Sequence, residues 1–289
     1  MVFVILGVVA LLLSAILVLV SSRPASSFFS LRDKIGVVSI EGAITDSEPV
    51  VTQLVEFRKD KGIKAILLRI DSPGGAVAPS QEIYWEVKKT ASSKTVVASM
   101  GKVAASGGYY VACAANKIVA NPGTLTGSIG VLMEFFQFEE LLRKIGVGIE
   151  VLKTGEFKDI GSPHRKLSEK ERELISILIS DIQRQFVEAV AQGRNLPVEK
   201  VREIADGRIL SGAQSRDHGL VDELGNFQDA LDLAKKMTGI EGEVILVYPR
   251  KTGSKLWDFL LRDASEALYS FIRKIPETRI EYRWDGFPH

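Results

Sequence analysis

The chain has 289 residues, of which 46% are apolar and 25% charged, a composition typical of a globular protein rather than a disordered one. Its 37 basic residues nearly balance its 36 acidic residues, so no large electrostatic field attracts nucleic acid, and no nucleic-acid partner is predicted. Cys113 is the only cysteine, which excludes an internal disulfide and a cysteine-based metal cage. The three histidines lack the His-Glu-x-x-His spacing of a zinc hydrolase, and neither a metal nor another cofactor is predicted.

The amino-terminal segment is strongly apolar. Val2–Val20 contains no charge, and a helix of this length, at about 1.5 Å per residue, just spans a hydrocarbon core of roughly 30 Å. Residues 1–22 are therefore predicted to form a transmembrane anchor. A cleaved secretory signal would normally have a basic start and a shorter apolar run, and the absence of a polar face argues against an ordinary core helix. Arg23, Arg32 and Lys34 favour a cytoplasmic domain by the positive-inside tendency.

A polar stretch that contains proline follows, and residues 23–33 are predicted to be a tether. A folded α/β domain is predicted over residues 34–249. Short, nearly continuous apolar runs recur in it, with helical segments between several of them, which predicts parallel strands covered on both faces in an α/β domain. The predicted strands are Ile35–Ile40, Ala65–Ile70, Thr95–Met100, Lys117–Ala120 and Ile149–Lys153.

The second half of the chain contains two helical patterns. Ser168 and Glu171 form a capping box before an apolar pattern of helical spacing that should end near Gly193. After a predicted strand at Val244–Tyr248, the region 250–289 is predicted to hold an amphipathic helix and a tail. The apolar stripe of this helix fits core packing, a subunit contact or a membrane surface, and the sequence does not decide among them.

Three glycine-containing loops each follow an apolar strand. They should lie at the carboxyl ends of the strands, where α/β sheets usually assemble their sites. The loops are Asp71–Gly75, Gly101–Gly108 and Thr124–Gly130.

Ser106 is the candidate nucleophile in the middle loop. It precedes a segment that can continue as a helix, so free backbone N–H groups there favour the negative charge of a tetrahedral acyl-transfer intermediate. Gly107 can donate one N–H to such an oxyanion hole and Gly75 a second, because a glycine permits close approach. The alternative is a tight turn in which Ser106 only caps the helix.

A serine hydroxyl needs a base that takes its proton. His164, beside Pro163, is interpreted as a surface residue, and Lys102 has a loop position that suggests exposure. A lysine can serve as the base where burial keeps its amine neutral.

Lys158 fits that requirement better than the other lysines. It lies between Phe157 and Ile160 after an apolar run, so burial is predicted, and in an extended chain the adjacent Asp159 would point the other way. Ser128 is the candidate that orients the amine by a hydrogen bond, and its alternative is a plain turn serine.

Several ordered motifs from about Lys34 to Asn226 resemble the signal peptide peptidase A family in its short, single-domain form. The motifs are Asp71–Gly75, Ser106–Ala112, Gly127–Val131, Gly155–Asp159 and Gly219–Gly225. The resemblance implies a crotonase/ClpP-like spiral of β-β-α units. It implies Ser106 as nucleophile, Lys158 as general base, Ser128 as the partner of the lysine, and backbone amides near Gly75 and Gly107 as oxyanion donors.

The resemblance also implies homo-oligomeric rings, in which the serine and lysine of one site can come from adjacent subunits. The expected function is a plasma-membrane serine endopeptidase that degrades remnant signal peptides and other hydrophobic peptides. The resemblance places its catalytic domain on the extracytoplasmic side, against the charge pattern after the anchor, and this orientation is preferred because translocation depends on more than three flanking charges. Small residues around Ser106 suggest shallow substrate pockets. A crotonase-like enzyme of coenzyme A thioesters, which would use acidic residues, and a non-catalytic membrane scaffold are the alternatives.

Overall fold

The computed structural model describes residues 32–249 and 280–283. Its strands are β1 (Lys34–Glu41), β2 (Ile63–Ser72), β3 (Gly74–Ala76), β4 (Thr95–Ala105), β5 (Lys117–Ala120), β6 (Leu125–Gly127), β7 (Leu132–Met133), β8 (Ile209–Ser211), β9 (Glu223–Leu224), β10 (Ile245–Val247) and β11 (Ile280–Arg283). Its helices are Glu48–Lys59, Val77–Ala91, Gly107–Ala112, Glu139–Lys144, Glu169–Arg194, Val198–Arg202, Gly212–Asp217 and Phe227–Thr238.

The main sheet is mostly parallel. Its strands follow the order β10-β1-β2-β4-β5-β9, with β6 parallel to β4 and β8 antiparallel to β6. Both faces are apolar because successive side chains of a strand alternate: in β2, Ile66 and Leu68 enter one core while Ala65 and Leu67 enter the other. The predicted α/β class is confirmed.

Helices cover both faces of the sheet. The larger core lies against the helices that supply Leu54, Ile83 and Phe186, whereas the smaller core is closed by Ala230 and Leu231 of the helix Phe227–Thr238. The sheet therefore lies inside the domain, and its strand ends are the places where functional side chains can reach the surface.

The long helix Glu169–Arg194 begins and ends where the sequence predicts. The Ser168 side chain accepts a hydrogen bond from the Glu171 N–H, and the Glu171 carboxylate accepts one from the Ser168 N–H at 2.8 Å. Asn195, in the left-handed conformation, ends the helix two residues after the predicted terminus at Gly193. The capping box is thus confirmed.

The predicted strand at Ile149–Lys153 is wrong. This segment has no strand pairing, and Leu152 is 92% exposed. It belongs to a surface excursion of residues 134–163, here called the arm, whose two ends are joined by a hydrogen bond from the Phe138 N–H to the Pro163 carbonyl at 2.6 Å. The run is apolar, as in a buried strand, but nothing in the described chain covers it.

Other predictions fall on residues that the structure does not describe. They are the transmembrane anchor at residues 1–22, nearly all of the tether at 23–33, and the amphipathic helix within 250–289, of which only β11 is described. Across 32–249 and 280–283, no helix combines the length and hydropathy needed to cross a bilayer.

Candidate active site

The longest strand of the sheet delivers Ser106 to the candidate site. β4 pairs with β5 through Val97–Ser99 and with β6 through Val103–Ala105, so it changes partners midway. Ser106 follows directly, with φ 53° and ψ −117°, and its N–H donates to the Gly127 carbonyl at 2.9 Å. A positive φ is strained for a serine and persists only where the surroundings enforce it.

The Ser106 hydroxyl is buried and unpaired. The residue is 1% exposed, and its Oγ has no hydrogen-bond partner within the described residues. It does not cap the helix Gly107–Ala112 through its side chain, which disfavours the interpretation as a mere capping serine. A buried polar atom without a partner costs free energy, so this arrangement is typical of a group kept ready for a ligand or a reaction.

Two glycine loops meet beside Ser106. A Cβ on Gly74 would lie 2.6 Å from the Gly107 nitrogen, and a Cβ on Gly107 would lie 3.2 Å from the Gly74 Cα. Gly75 packs equally closely on its other side, where a Cβ would lie 2.2 Å from the Ile44 carbonyl oxygen. The structure therefore brings both predicted oxyanion residues to the neighbourhood of Ser106. It adds Gly74, which the sequence motif contained but which was not singled out.

Ser128 lies in the adjacent loop at the end of β6. It has φ 50°, is 6% exposed and donates its N–H to the Arg208 carbonyl at 2.8 Å. The residue lines a cavity of about 430 Å³ together with Leu132, Gln183 and Arg283. Ser128 thus faces a space large enough for a side chain from elsewhere, and Lys158 is not among the residues that line it.

Lys158 is exposed in this chain, contrary to the predicted burial. It lies in a turn of the arm, and its N–H donates to the Gly155 carbonyl at 3.2 Å. No residue from 130 to 170, a stretch described throughout, is buried. The single chain therefore brings together Ser106, Ser128 and the glycines but does not bury Lys158.

The structure also describes Lys102 and His164, the two alternative bases. Lys102 is 80% exposed at its side chain and faces the Asp71 carboxylate at 3.7 Å, in line with the exposure expected for it. His164 is half-buried near the base of the arm.

Arg165 anchors the turn that carries Lys158, a role that the sequence analysis missed. Its guanidinium contacts the Asp159 carboxylate at 2.8 Å and the Glu171 carboxylate at 2.5 Å. These hydrogen bonds from Arg165 hold the pKa of Asp159 well below its usual range and lower that of Glu171 to about 2. Asp159 also contacts Lys153 at 2.6 Å, so its charge is directed away from its neighbour Lys158.

Replacement of Arg165 by leucine is expected to lower the midpoint of thermal unfolding by several degrees at pH 7, because Glu171 is buried and would lose its cation. A depressed carboxyl pKa gives stability that is present above the unfolded pKa, here 4.5, and is lost as the pH falls toward 2. Urea unfolding from pH 7 to pH 2 should therefore show a shallower acid decline in Arg165→Leu than in the wild type.

Arg184→Leu is the matched control. Arg184 also contacts two carboxylates, Asp181 and Glu188, but all three side chains are about half exposed. Exposed ion pairs add little to stability, so this variant should unfold like the wild type. Equal destabilisation by both substitutions would contradict the anchoring role of Arg165.

Two protein-family models match this chain. The model of peptidase family S49 matches residues 88–241, more than half of the chain, and that of the Clp protease matches residues 26–124. The latter is consistent with a Clp-protease-like or crotonase-like α/β fold.

Three relatives span most of the described domain. A Synechocystis protein that carries a protease name is 45% identical over 217 residues, which is 75% of this chain and 78% of that protein. An Enterococcus faecium protein that carries the name signal peptide peptidase SppA is 35% identical over 84% of this chain and 77% of its own length. The chloroplastic serine protease SPPA of Arabidopsis thaliana is 37% identical over 78% of this chain but 34% of that protein. With this coverage and a family match that includes Ser106, the chain belongs to peptidase family S49 and is a serine peptidase of the signal peptide peptidase A group.

Proposed function

We propose that this serine peptidase is a membrane-anchored endopeptidase that uses a dyad of Ser106 and Lys158 to degrade remnant signal peptides and other hydrophobic peptides. The observation that carries the proposal is the buried, unpaired Ser106 hydroxyl on a strained backbone beside Gly74 and Gly107. Such a hydroxyl is placed for attack on a carbonyl that enters between the glycines. The spiral of β-β-α units belongs to this proposal, with β2, β3 and the helix Val77–Ala91 as one such unit.

The proposed chemistry has two steps. Lys158 takes the Ser106 proton as Oγ bonds to the peptide carbonyl carbon, and the N–H groups of Gly75 and Gly107 stabilise the oxyanion. The intermediate collapses as the C–N bond breaks, and the leaving amine takes the proton from Lys158. Water then attacks the acyl-enzyme ester and gives a proton to Lys158; as the ester C–O bond breaks, Lys158 returns this proton to the Ser106 oxygen, and the new carboxylic acid leaves.

The base is proposed to come from an adjacent subunit of a homo-oligomeric ring. The exposure of Lys158 supports this, because its amine would gain its dry surroundings only on assembly. The arm also presents many apolar side chains to solvent, which is typical of a surface covered by another copy. The exposed set is Phe136, Phe138, Leu141, Ile145, Val147, Ile149, Val151, Leu152 and Phe157.

Membrane attachment is proposed from the uncharged segment at residues 1–22, with the domain on the extracytoplasmic side. The name of the Enterococcus relative supports signal peptides as the substrate class. An anchor of this kind would hold the enzyme where peptides left in the bilayer are accessible.

A fluorophosphonate probe tests the dyad. It should label the wild type on Ser106, and Lys158→Ala should lose at least about 100-fold in labelling rate, because general-base assistance typically contributes that much. Labelling should map to Ser106 by peptide mass spectrometry. Equal labelling rates in both proteins would reject the assignment of Lys158. Hydrolysis of an acyl-coenzyme A without labelling would favour the crotonase-like alternative.

A further inference from the structure

Gln183, on the cavity beside Ser128, has a buried oxygen atom without a partner. The side chain belongs to the helix Glu169–Arg194 and lines this cavity together with Ile179, one turn earlier. Its Oε1 atom is buried and has no hydrogen-bond partner within the described residues. A buried amide oxygen normally accepts a hydrogen bond, so this atom is suited to a donor that enters the cavity.

The orientation of the Gln183 amide is fixed by its nitrogen. Nε2 donates to the Ala205 carbonyl at 2.8 Å and to the Ile129 carbonyl at 3.4 Å. If the amide were reversed, its oxygen would face two other acceptors, and no hydrogen bond could form there. The oxygen therefore remains on the side away from these carbonyls, where it can accept from a group in the cavity.

The cavity lies close to the candidate nucleophile. β4 and β6 are parallel and paired up to their last residues, so Ser106 and Ser128, which follow them, lie at the same end of the two strands. Ile129, whose carbonyl accepts from the Gln183 amide, is the next residue of that loop. Ser106, Ser128 and Gln183 therefore converge on one region, although three separate elements supply them.

The lining of the cavity is partly apolar. Val131, Leu132 and Ile179 contribute to it, and such surroundings disfavour a protonated amine by desolvation. The charged residues on the lining are Asp206 and Arg283. A lysine amine placed here would thus be partly dried, with few charges beside it.

Both charged residues of the lining have partners. Asp206 pairs with Arg208 at 2.6 Å, and these hydrogen bonds lower the pKa of the Asp206 carboxyl to about 2. Arg283 pairs with the Glu281 carboxylate at 2.9 Å, and an arginine stays protonated. Asp206 and Arg283 therefore keep their charges throughout the neutral and alkaline range, in which a lysine base would titrate.

We propose that this cavity receives the Lys158 amine of the adjacent subunit and that Gln183 is a positioning residue for this amine. Lys158 is exposed on the arm, where a neighbouring copy can meet it. A neutral amine has two N–H donors and one lone pair. With one N–H donated to Gln183 Oε1 and the other to Ser128 Oγ, the lone pair is left for the Ser106 proton. The inference rests on the dyad proposed above and adds the residue that orients its base.

Two substitutions of Gln183 distinguish this role from a structural one. Gln183→Met and Gln183→Glu both lose the Nε2 donor, so a purely structural role predicts the same effect in both. A carboxylate stabilises a protonated lysine, so in Gln183→Glu the acid limb of the kcat/KM profile for peptide hydrolysis should move by about one pH unit to higher pH. Methionine is only a weak acceptor, so in Gln183→Met the limb should move to lower pH, with kcat reduced about 10-fold.

Acetylation of Lys158 measures the same contact without turnover. The rate of reaction with acetic anhydride rises as the amine loses its proton, and peptide mass spectrometry follows this residue alone. The pH of the half-maximal rate should rise in Gln183→Glu and fall in Gln183→Met. Gln192→Glu is the matched control, because Gln192 is exposed on the same helix, accepts from Lys88 at 2.6 Å, and should change neither measurement.

The outcomes separate this inference from the dyad itself. Thermal unfolding and size-exclusion chromatography establish that the two Gln183 variants fold and assemble. Unchanged acetylation of Lys158 in both variants, or shifts of the same sign, would overturn the role of Gln183. Shifted acetylation with an unshifted activity profile would retain the contact with Lys158 and reject this lysine as the base.

Discussion

Ser106→Ala is expected to abolish peptide hydrolysis, with a fall in kcat on the order of 10⁶-fold, because removal of the nucleophile of a serine peptidase leaves only binding and oxyanion stabilisation. The fold should tolerate the change. The Oγ of Ser106 has no hydrogen-bond partner in the described chain, so its loss breaks no hydrogen bond and removes a buried polar atom. Steady-state hydrolysis of a hydrophobic peptide and thermal unfolding of the same preparation measure both effects.

Ser106→Gly distinguishes the chemical role of the Ser106 hydroxyl from the strain of its backbone conformation. Glycine adopts a φ of 53° readily, so this variant should be equally inactive yet more stable than Ser106→Ala by about 1 kcal/mol. Another buried serine, Ser99 of the same strand β4, is 1% exposed and accepts a hydrogen bond from Arg69 at 3.0 Å. Ser99→Ala is the control that should lose stability and keep activity. Residual hydrolysis in purified Ser106→Ala at more than a trace of the wild-type rate would reject Ser106 as the nucleophile.

Lys158→Met is expected to reduce kcat by about 10²- to 10⁴-fold, the usual contribution of a general base. Its unfolding should be unaffected, since Lys158 is exposed in the single chain.

Complementation between two inactive variants tests which subunit supplies the base. If the base comes from the adjacent subunit, coexpression of Lys158→Met with Ser106→Ala places an intact serine beside an intact lysine in some sites. A head-to-tail ring with random mixing should then recover about a quarter of the wild-type activity.

Lys144→Met is the control for this experiment, because Lys144 is another exposed lysine of the arm and should be dispensable. Each inactive variant assayed alone gives the background. If the mixed protein stays as inactive as its two parents while size-exclusion chromatography shows mixed rings, the serine and lysine of one site belong to the same chain.

The sequence predicts the sheet well because its signals are local. The runs Ala65–Ile70 and Thr95–Met100 lie within β2 and β4, and the capping box of Ser168 marked a helix start. β4 continues to Ala105, however, so most of the predicted loop Gly101–Gly108 is strand. Apolar character alone does not say what covers a segment. That is why Ile149–Lys153 was assigned to the sheet, whereas in the single chain it lies exposed on the arm.

The features of the site that the sequence missed depend on distant contacts. Ile44 forms hydrogen bonds with Gly74 and Ala76 on one side of β3, and Tyr282 of β11 pairs with Gly75 in an antiparallel register. No local pattern joins residues this far apart. Arg165 was accessible in principle, since it lies six residues from both Asp159 and Glu171, yet charges at that spacing are usually solvent-exposed.

The arm and the sheet differ in local stability, and this difference decides how the enzyme responds to heat. Segments with few buried contacts open at free energies well below that of global unfolding, and residues 134–163 are such a segment, whereas β4 lies in the middle of the sheet. Amide protons of the arm should exchange with heavy water long before those of β4. If Lys158 of the arm is the base, as proposed above, heating would inactivate the enzyme while its sheet is still intact, and the opening of the arm would set the working temperature.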